Sequence, residues 1–276
     1  MSDNQTLSAH DLEDLITSLR EVAQAAGAAI MSHYEGEVAT RLKEDNSPVT
    51  AADHAAEDII LAGLKKIAPD IPVISEEQAA AGNIPSFDHC FFLVDPLDGT
   101  REFLNKNGEF TVNIALIENR VPVAGIVYAP AKDRMFFASG PGQAYEQTIA
   151  PDERTGAHPP HLIHARRPDD EGLTIVASRS HRDQKTEEYL NLYKVKEIVA
   201  AGSSLKFCLI AAGEADLYPR HGRTMEWDTA AGHAVLNGAG GSVTKMDGSP
   251  FLYGKSEDGL ANPFFLARGT DGITAG

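Results

Sequence analysis

Six consecutive residues carry the most chemical information in this chain: Asp95-Pro96-Leu97-Asp98-Gly99-Thr100. The apolar run from His89 to Val94 has the length and composition of a strand. It delivers Asp95 to its end, where layered α/β proteins place ligands. Asp98 follows three residues on, so the two carboxylates converge if the chain bends there instead of continuing as a strand. Gly99 permits close backbone approach, and Thr100 is expected to open a helix whose free N–H groups suit a phosphate. Carboxylates alone repel phosphate, so the arrangement makes sense with divalent cations between them, and hard oxygen donors select Mg²⁺. The same residues also fit an Asx-turn with a helix cap and no further role. An EF-hand loop fits poorly, because its ligands recur at every second residue.

Three other acidic positions bear on that choice. Glu76-Glu77 follows the short apolar run Ile71 to Ser75, which again puts a carboxylate at a strand end, although a solvated pair in a loop reads the same way. Asp228 precedes an alanine-rich helical pattern and is read as its N-cap. Asp53, in Thr50-Ala51-Ala52-Asp53, fits either the first turn of a helix or the outskirts of an acidic site. Singly these are weak signals. Together they supply the oxygens that a two-metal phosphatase centre requires.

The elements that must position these acids follow from periodicity. Leu12, Leu15, Ile16, Leu19, Ala23, Ala26 and Ile30 form a helical stripe over residues 10–34, and its acidic polar face points to core packing. A second helix is predicted from Ala52 to Ile67, stopped by Pro69. Phe110–Ile117, Val121–Tyr128 and Arg134–Ala138 read as an antiparallel meander. Residues 140–172 lack periodicity and are read as a long surface loop or linker. Within it His158, His161 and His164 are spaced by three, but Pro159-Pro160 forbids the helix that would align them, so a plain loop is expected. The second half alternates: strands at Leu173–Ala177, Lys196–Val199, Ala215–Tyr218 and Gly241–Lys245, with helices at Arg182–Leu192, Ser203–Ala212 and Thr229–Asn237. The expected fold is an α/β layered sandwich (α-β-α-β-α) with mixed and antiparallel sheets. Residues 1–145 would form an α+β half with most metal ligands, and 146–276 an α/β half contributing Asp228 and the specificity residues.

With 276 residues and 42% apolar content the chain can build a sizeable core. Forty acidic against 24 basic residues give a net charge of −16, which argues against a duplex-DNA binder but leaves room for an anionic small substrate beside metal ions. Cys90 and Cys208 lie in separate apolar runs and are read as buried free thiols of a reducing compartment. A polar, acidic N-terminus and the lack of a run of about 20 apolar residues point to the cytoplasm, with loose association at the inner membrane surface left open.

The hexapeptide resembles the DPxDGT signature of the inositol monophosphatase superfamily of Mg²⁺-dependent, lithium-sensitive phosphatases. Trp227-Asp228-Thr229-Ala230-Ala231-Gly232 resembles its WDxAAG signature, and Glu76-Glu77 and Thr50-Ala51-Ala52-Asp53 fall where it has its EE and TxAD elements. Within the superfamily, the CysQ-type 3'(2'),5'-bisphosphate nucleotidase branch is the most similar at residues 101–117, Ser178-Arg179-Ser180-His181 and Gly202-Ser203-Ser204-Leu205-Lys206-Phe207.

The resemblance implies a sugar-phosphatase-like fold holding two Mg²⁺ ions, or three. Glu76, Asp95 and the Leu97 carbonyl would hold the first ion, and Asp95, Asp98 and Asp228 the second. Asp53 and Glu77 would act through water, Asp53 near a third ion. Gly99 and Thr100 N–H groups would bind the scissile phosphate, with Glu76, Leu97, Asp98 and Asp228 also around the substrate. Thr100 and Glu76 would orient the water that attacks phosphorus in line. His181, Ser203, Lys206 and Arg220 would serve a second phosphate and the nucleoside. The implied reaction releases the 3'-phosphate of 3'-phosphoadenosine 5'-phosphate in support of sulfur assimilation. Inositol-1-phosphate or fructose-1,6-bisphosphate phosphatase activity, and a phosphometabolite-binding sensor without catalysis, are the alternatives. Whether the chain forms a homodimer is left open. One departure stands out: the family reads glycine-proline-threonine where this chain has Gly222-Arg223-Thr224.

Overall fold

The structure is a computed structural model describing residues 7–34, 40–42, 48–153, 158–178 and 184–270. The helical stripe becomes α1 (Ala9–Tyr34), which buries Leu12, Ile16, Leu19, Ala23, Ala26 and Ile30 along one face. Each fully buried Leu or Ile there stabilises the fold by about 1.5–3 kcal/mol. A short hairpin, β1 (Thr40–Leu42) with β2 (Pro48–Thr50), leads into α2 (Ala51–Ile67). Then come β3 (Val73–Ser75), α3 (Glu76–Ala80), β4 (Cys90–Asp98), α4 (Thr100–Leu104), β5 (Thr111–Glu118), β6 (Val121–Ala129), β7 (Arg134–Ala138), β8 (Ala144–Thr148) and β9 (His161–Leu162). Strands β3 to β9 form one seven-stranded sheet in chain order, parallel only between β3 and β4.

The remaining elements are β10 (Leu173–Ser178), α5 (Gln184–Leu190), β11 (Val195–Ala201), α6 (Leu205–Ala211), β12 (Leu217–Arg220), α7 (Glu226–Gly238), β13 (Ser242–Lys245) and β14 (Phe265–Arg268). They build a five-stranded mixed sheet in the order β11-β10-β12-β14-β13. Helices α1 and α2 cover one face of the large sheet, and their core includes Phe92, Val94, Ile114 and Tyr128. Helices α6 and α7 fill the space between the sheets, with Phe91, Phe207, Trp227 and Phe265 in that core. Helix α5 covers the outer face of the small sheet over Leu173, Ile175 and Leu217. These are the expected five layers. Gly125 on β6 shows how closely they fit: a Cβ there would lie 2.8 Å from the Ala234 side chain and 2.9 Å from the Ala231 carbonyl of α7.

Several expectations need correction. Residues 140–172 are not simply a loop, since β8 and β9 extend the large sheet and His161 lies on β9. The polarity of Ala144-Tyr145-Glu146-Gln147-Thr148 disguised the strand. Gln147 and Glu146, on its opposite faces, are nonetheless both buried, Gln147 bonded to Arg20 and Glu146 to Arg134 Nε at 2.6 Å. Strand β14, central to the small sheet, had no alternation to announce it because all but its last residue are buried. Cys208 is buried as expected, whereas Cys90 is only half-buried.

Candidate active site

Strand β4 does not stop at Val94. It runs on to Asp98, and it takes three steps from Asp95 (opposite Asn113) to Asp98 (opposite Thr111) while β5 takes two. Residues three apart on a flat strand point to opposite faces, so this bulge is what brings both carboxylates toward the same side. Pro96, which has no N–H to contribute to a ladder, sits within it. The Asx-turn is present too, since Leu97 N–H donates to Asp95 Oδ1 at 3.1 Å. Gly99 then takes φ +91° as the residue before α4, a conformation that a side chain would strain.

The parallel register pairs Ser75 with Val94, so the residues that follow, Glu76 and Asp95, come out side by side. Asp228 reaches them from the other side of the cleft. It is the third residue of α7 and not its N-cap, because the helix begins earlier than its alanine pattern suggested, at Glu226. Its Oδ2 accepts the Met225 N–H at 2.8 Å. Carboxylate oxygens of Glu76, Asp95 and Asp228 all lie within 4.8 Å of one another. Asp98 stands just outside this group of three. Its Oδ2 accepts the Ser204 N–H at 2.7 Å and Asn113 Nδ2 at 3.2 Å.

The electrostatics follow from enclosure. Burial pushes the Asp95 carboxyl well above the usual range, and the charges of Glu76, Asp98 and Asp228 push it further. Asp228 is raised for the same reasons, first enclosure and then Asp98 and Glu76. Asp98 rises to about 6 by desolvation, against the pull of the Lys206 ammonium. A cluster that resists ionisation this strongly is a poor structural device but a good host for divalent cations. The donor set of carboxylates plus the Leu97 carbonyl fits Mg²⁺.

Asp53 is held at the edge of this cluster by a capping box. Its Oδ2 accepts the Thr50 N–H (2.8 Å) and hydroxyl (2.7 Å), and its Oδ1 accepts the Thr100 hydroxyl at 3.2 Å. Thr100 Oγ1 also lies 3.4 Å from the Leu97 carbonyl. Glu77 is buried at the start of α3.

A cavity of about 760 Å³ opens in front of these acids. Glu76, Asp98, Gly99, Thr100, Asp228, Ser203, Lys206 and Arg220 all line it, and Arg101 and Arg223 add two cations. Lys206 is buried in the wall, donating to the Ser203 carbonyl at 2.6 Å and the Ala201 carbonyl at 3.4 Å. Burial lowers its pKa to about 8. Arg220 is half-buried, with Nη2 3.4 Å from the Arg223 carbonyl and a buried Nε that has no hydrogen-bond partner. The Ser203 hydroxyl donates to the Glu109 carbonyl at 2.8 Å. His181 lies outside the described residues.

Sequence reasoning missed the residues that hold Asp228 in place. Glu226 is fully buried and accepts the Gly254 N–H (2.7 Å), the Lys255 N–H (2.9 Å) and the Lys255 ammonium (2.6 Å). Asn262 Nδ2 lies 2.6 Å from the Met225 carbonyl. The adjacency of Glu226 to the Trp227-Asp228 pair was a visible signal. Lys255 and Asn262 sit in an irregular segment with no pattern to expose them. Buried Asn113 and Ser204 were likewise visible only as members of similar stretches.

Residues 11–272 match the profile of the inositol monophosphatase family. The 3'(2'),5'-bisphosphate nucleotidase CysQ of Shigella flexneri is 46% identical over 253 residues, which cover 91% of this chain and 98% of that protein. Its counterpart in Escherichia coli K12 is 44% identical with the same coverage. Among solved structures, the crystal structure of CysQ from Bacteroides thetaiotaomicron superposes with a TM-score of 0.78 at 36% identity, covering 94% of this chain and 98% of that one. The bulged DPxDGT strand, the acid from α7 and a profile match over nearly the whole length agree: this chain belongs to the inositol monophosphatase family.

Proposed function

We propose that this chain is a Mg²⁺-dependent 3'(2'),5'-bisphosphate nucleotidase that converts 3'-phosphoadenosine 5'-phosphate to AMP and phosphate, in the cytoplasm and in support of sulfur assimilation. The observation that carries the reading is one cavity with a buried acid cluster at one end and Lys206, Arg220 and Arg223 in its wall. A substrate with two phosphates matches both.

Glu76, Asp95 and the Leu97 carbonyl would hold one ion, Asp95, Asp98 and Asp228 a second, and Asp53 would stand near a third. Bound there, Mg²⁺ supplies Lewis-acid stabilisation of phosphoryl oxygens and lowers the pKa of water. Gly99 and Thr100 N–H groups face the scissile phosphate from the start of α4. Asp53 Oδ1 holds the Thr100 proton, which leaves the hydroxyl's lone pairs to accept a hydrogen bond from the attacking water and aim it at phosphorus. Glu76 receives a proton from that water. The new P–O bond forms as the bond to the 3'-oxygen breaks, and the 3'-oxygen leaves with a proton from solvent. Lys206 and Arg220 take the 5'-phosphate, the buried Arg220 Nε being a donor with capacity to spare. Ser203 and His181 complete the nucleoside side.

The experiment is phosphate release in Mg²⁺ buffer from 3'-phosphoadenosine 5'-phosphate, inositol 1-phosphate and fructose 1,6-bisphosphate. A strong preference for the nucleotide is expected. Preference for a sugar phosphate would overturn the specificity assignment, and no release from any of the three would overturn the enzymatic reading.

A further inference from the structure

Asp98 and Asp228 come from elements more than a hundred residues apart, one at the end of β4 in the large sheet and one on α7 between the sheets. A single residue joins them. The N–H of Ser204 donates to Asp98 Oδ2 at 2.7 Å, and its hydroxyl donates to the Asp228 carbonyl at 2.6 Å. Asn113, fully buried on β5, closes the ring: its Nδ2 donates to Ser204 Oγ at 3.0 Å and to Asp98 Oδ2 at 3.2 Å. Ser204 is 1% exposed and does not line the cavity, so it makes no direct contact with a substrate held there.

The preceding turn explains why the serine points inward. Ser203 is at φ +41°, and its hydroxyl is tied to the Glu109 carbonyl. A Cβ on Gly202 would approach that same carbonyl to 2.7 Å, so the turn sits tight against residue 109. Lys206 holds the turn from the other side through the Ser203 carbonyl. The turn is braced at both ends, with Ser204 aimed at the two aspartates.

We infer that Ser204, seconded by Asn113, is a positioning residue: it sets the spacing between Asp98 and Asp228 and thereby the affinity of the site for divalent cations. This rests on the metal-centre reading given above. Hydrogen-bonding partners one shell out from a metal are typically worth about 10–100-fold in metal affinity. The backbone N–H of Ser204 holds the carboxylate of Asp98 while its hydroxyl, shared with Asn113, holds the main chain of Asp228, so one residue acts on two ligands from different layers.

Trp227, the only tryptophan, neighbours Asp228 and lines the cavity, so its fluorescence reports occupancy without any substrate. The test is a Mg²⁺ titration of Trp227 fluorescence in wild type, Ser204→Ala and Ser204→Thr, with melting temperatures measured alongside. Ser204→Ala is expected to raise the Mg²⁺ midpoint roughly ten-fold, with nucleotide turnover restored when Mg²⁺ is raised in proportion. Ser204→Thr, which keeps the hydroxyl, is expected to stay within about three-fold of wild type. An unchanged midpoint in Ser204→Ala, with or without a lower melting temperature, would overturn the inference while leaving the metal centre standing. If Ser204→Thr does not fold, Asn113→Ser decides, a midpoint raised less than in Ser204→Ala supporting the bridge and an unchanged one opposing it. No Mg²⁺ response in wild type would overturn both readings.

Discussion

At one end of the cavity, Asp95, Asp98 and Asp228 are each tied by a backbone N–H within their own or a neighbouring element, and Asp95 is almost wholly buried. The cationic end lies close by: Arg220 is half-buried, with Nη2 3.4 Å from the Arg223 carbonyl and its charge reaching Asp228, and Arg223 is exposed. The acids sit where strand register and a helix start leave them little freedom, whereas Arg220 is the last residue of β12 and Arg223 lies on the turn that follows it. The chemistry of bond breaking needs groups fixed in advance, while recognition of a substrate tolerates, and can change by, adjustment in a loop.

The sharpest test of this contrast is at the rigid end. Asp95→Asn removes a charge the other acids cannot replace, and phosphate release at saturating nucleotide is expected to fall by at least about a thousand-fold, since several kcal/mol of transition-state stabilisation go with the metal. Residual activity within about ten-fold of wild type would show that the cluster is not the reacting end. At the adjustable end, Arg220→Ala is expected to lower kcat/KM for 3'-phosphoadenosine 5'-phosphate by roughly 10–100-fold, as for a lost charged hydrogen bond. With inositol 1-phosphate, the change should stay within about three-fold. Equal losses on both substrates would erase the distinction between the two ends.

Thermal melts sharpen it further. Asp95 and Asp228 are raised above their unfolded values and Asp98 reaches about 6. The folded, cation-free protein therefore binds more protons than the unfolded chain above about pH 4, and its stability falls as pH climbs through about 6 and beyond. Mg²⁺ relieves that repulsion, so the rise in Tm on adding Mg²⁺ is expected to be larger at about pH 7.5 than at about pH 5. Equal shifts would mean that the acids are not mutually strained.

The smallest expected effect comes from His233, away from the cavity. Buried against Tyr253, whose hydroxyl lies 3.0 Å from its Nδ1, it is lowered to about 3 by desolvation. A histidine kept neutral in the fold contributes stability above its unfolded pKa of about 6.5 and loses it as pH falls, about 2 kcal/mol by pH 5. In saturating Mg²⁺, where the acid cluster no longer gains protons in this range, His233→Gln should flatten the decline in Tm between about pH 6.5 and 5. A decline as steep as wild type would place the acid sensitivity elsewhere.

The rigid end was also the legible end. Asp95 and Glu76 could be placed from apolar runs that stop at a charge, and the five-layer fold from the alternation of strands and helices in the second half. Three features stayed hidden for physical reasons. The bulge between Asp95 and Asp98 leaves no mark on composition. Strand β8 carries a buried Glu146 whose partner Arg134 lies on the neighbouring strand. Lys255 and Asn262 matter through contacts with α7 from an irregular segment, and no local pattern records a long-range hydrogen bond. The adjustable end was legible as charges without places. Lys206 turns out to be engaged with backbone carbonyls in the wall, and Arg223, the departure from the family pattern, reaches the cavity rim.

The bridge between β4 and α7 has a consequence for how the molecule is made. From β4 to β8 the strands of the large sheet pair antiparallel with their neighbours in the chain, so these pairings are local and can form quickly. Asp228 is committed to its place only when α7 is enclosed between the two sheets and the turn at Ser204 has closed on Asp98. An ion arriving earlier finds half a site. Divalent cations should therefore leave the refolding rate almost unchanged and slow unfolding, acting as a latch on the finished protein and not as a seed for its assembly.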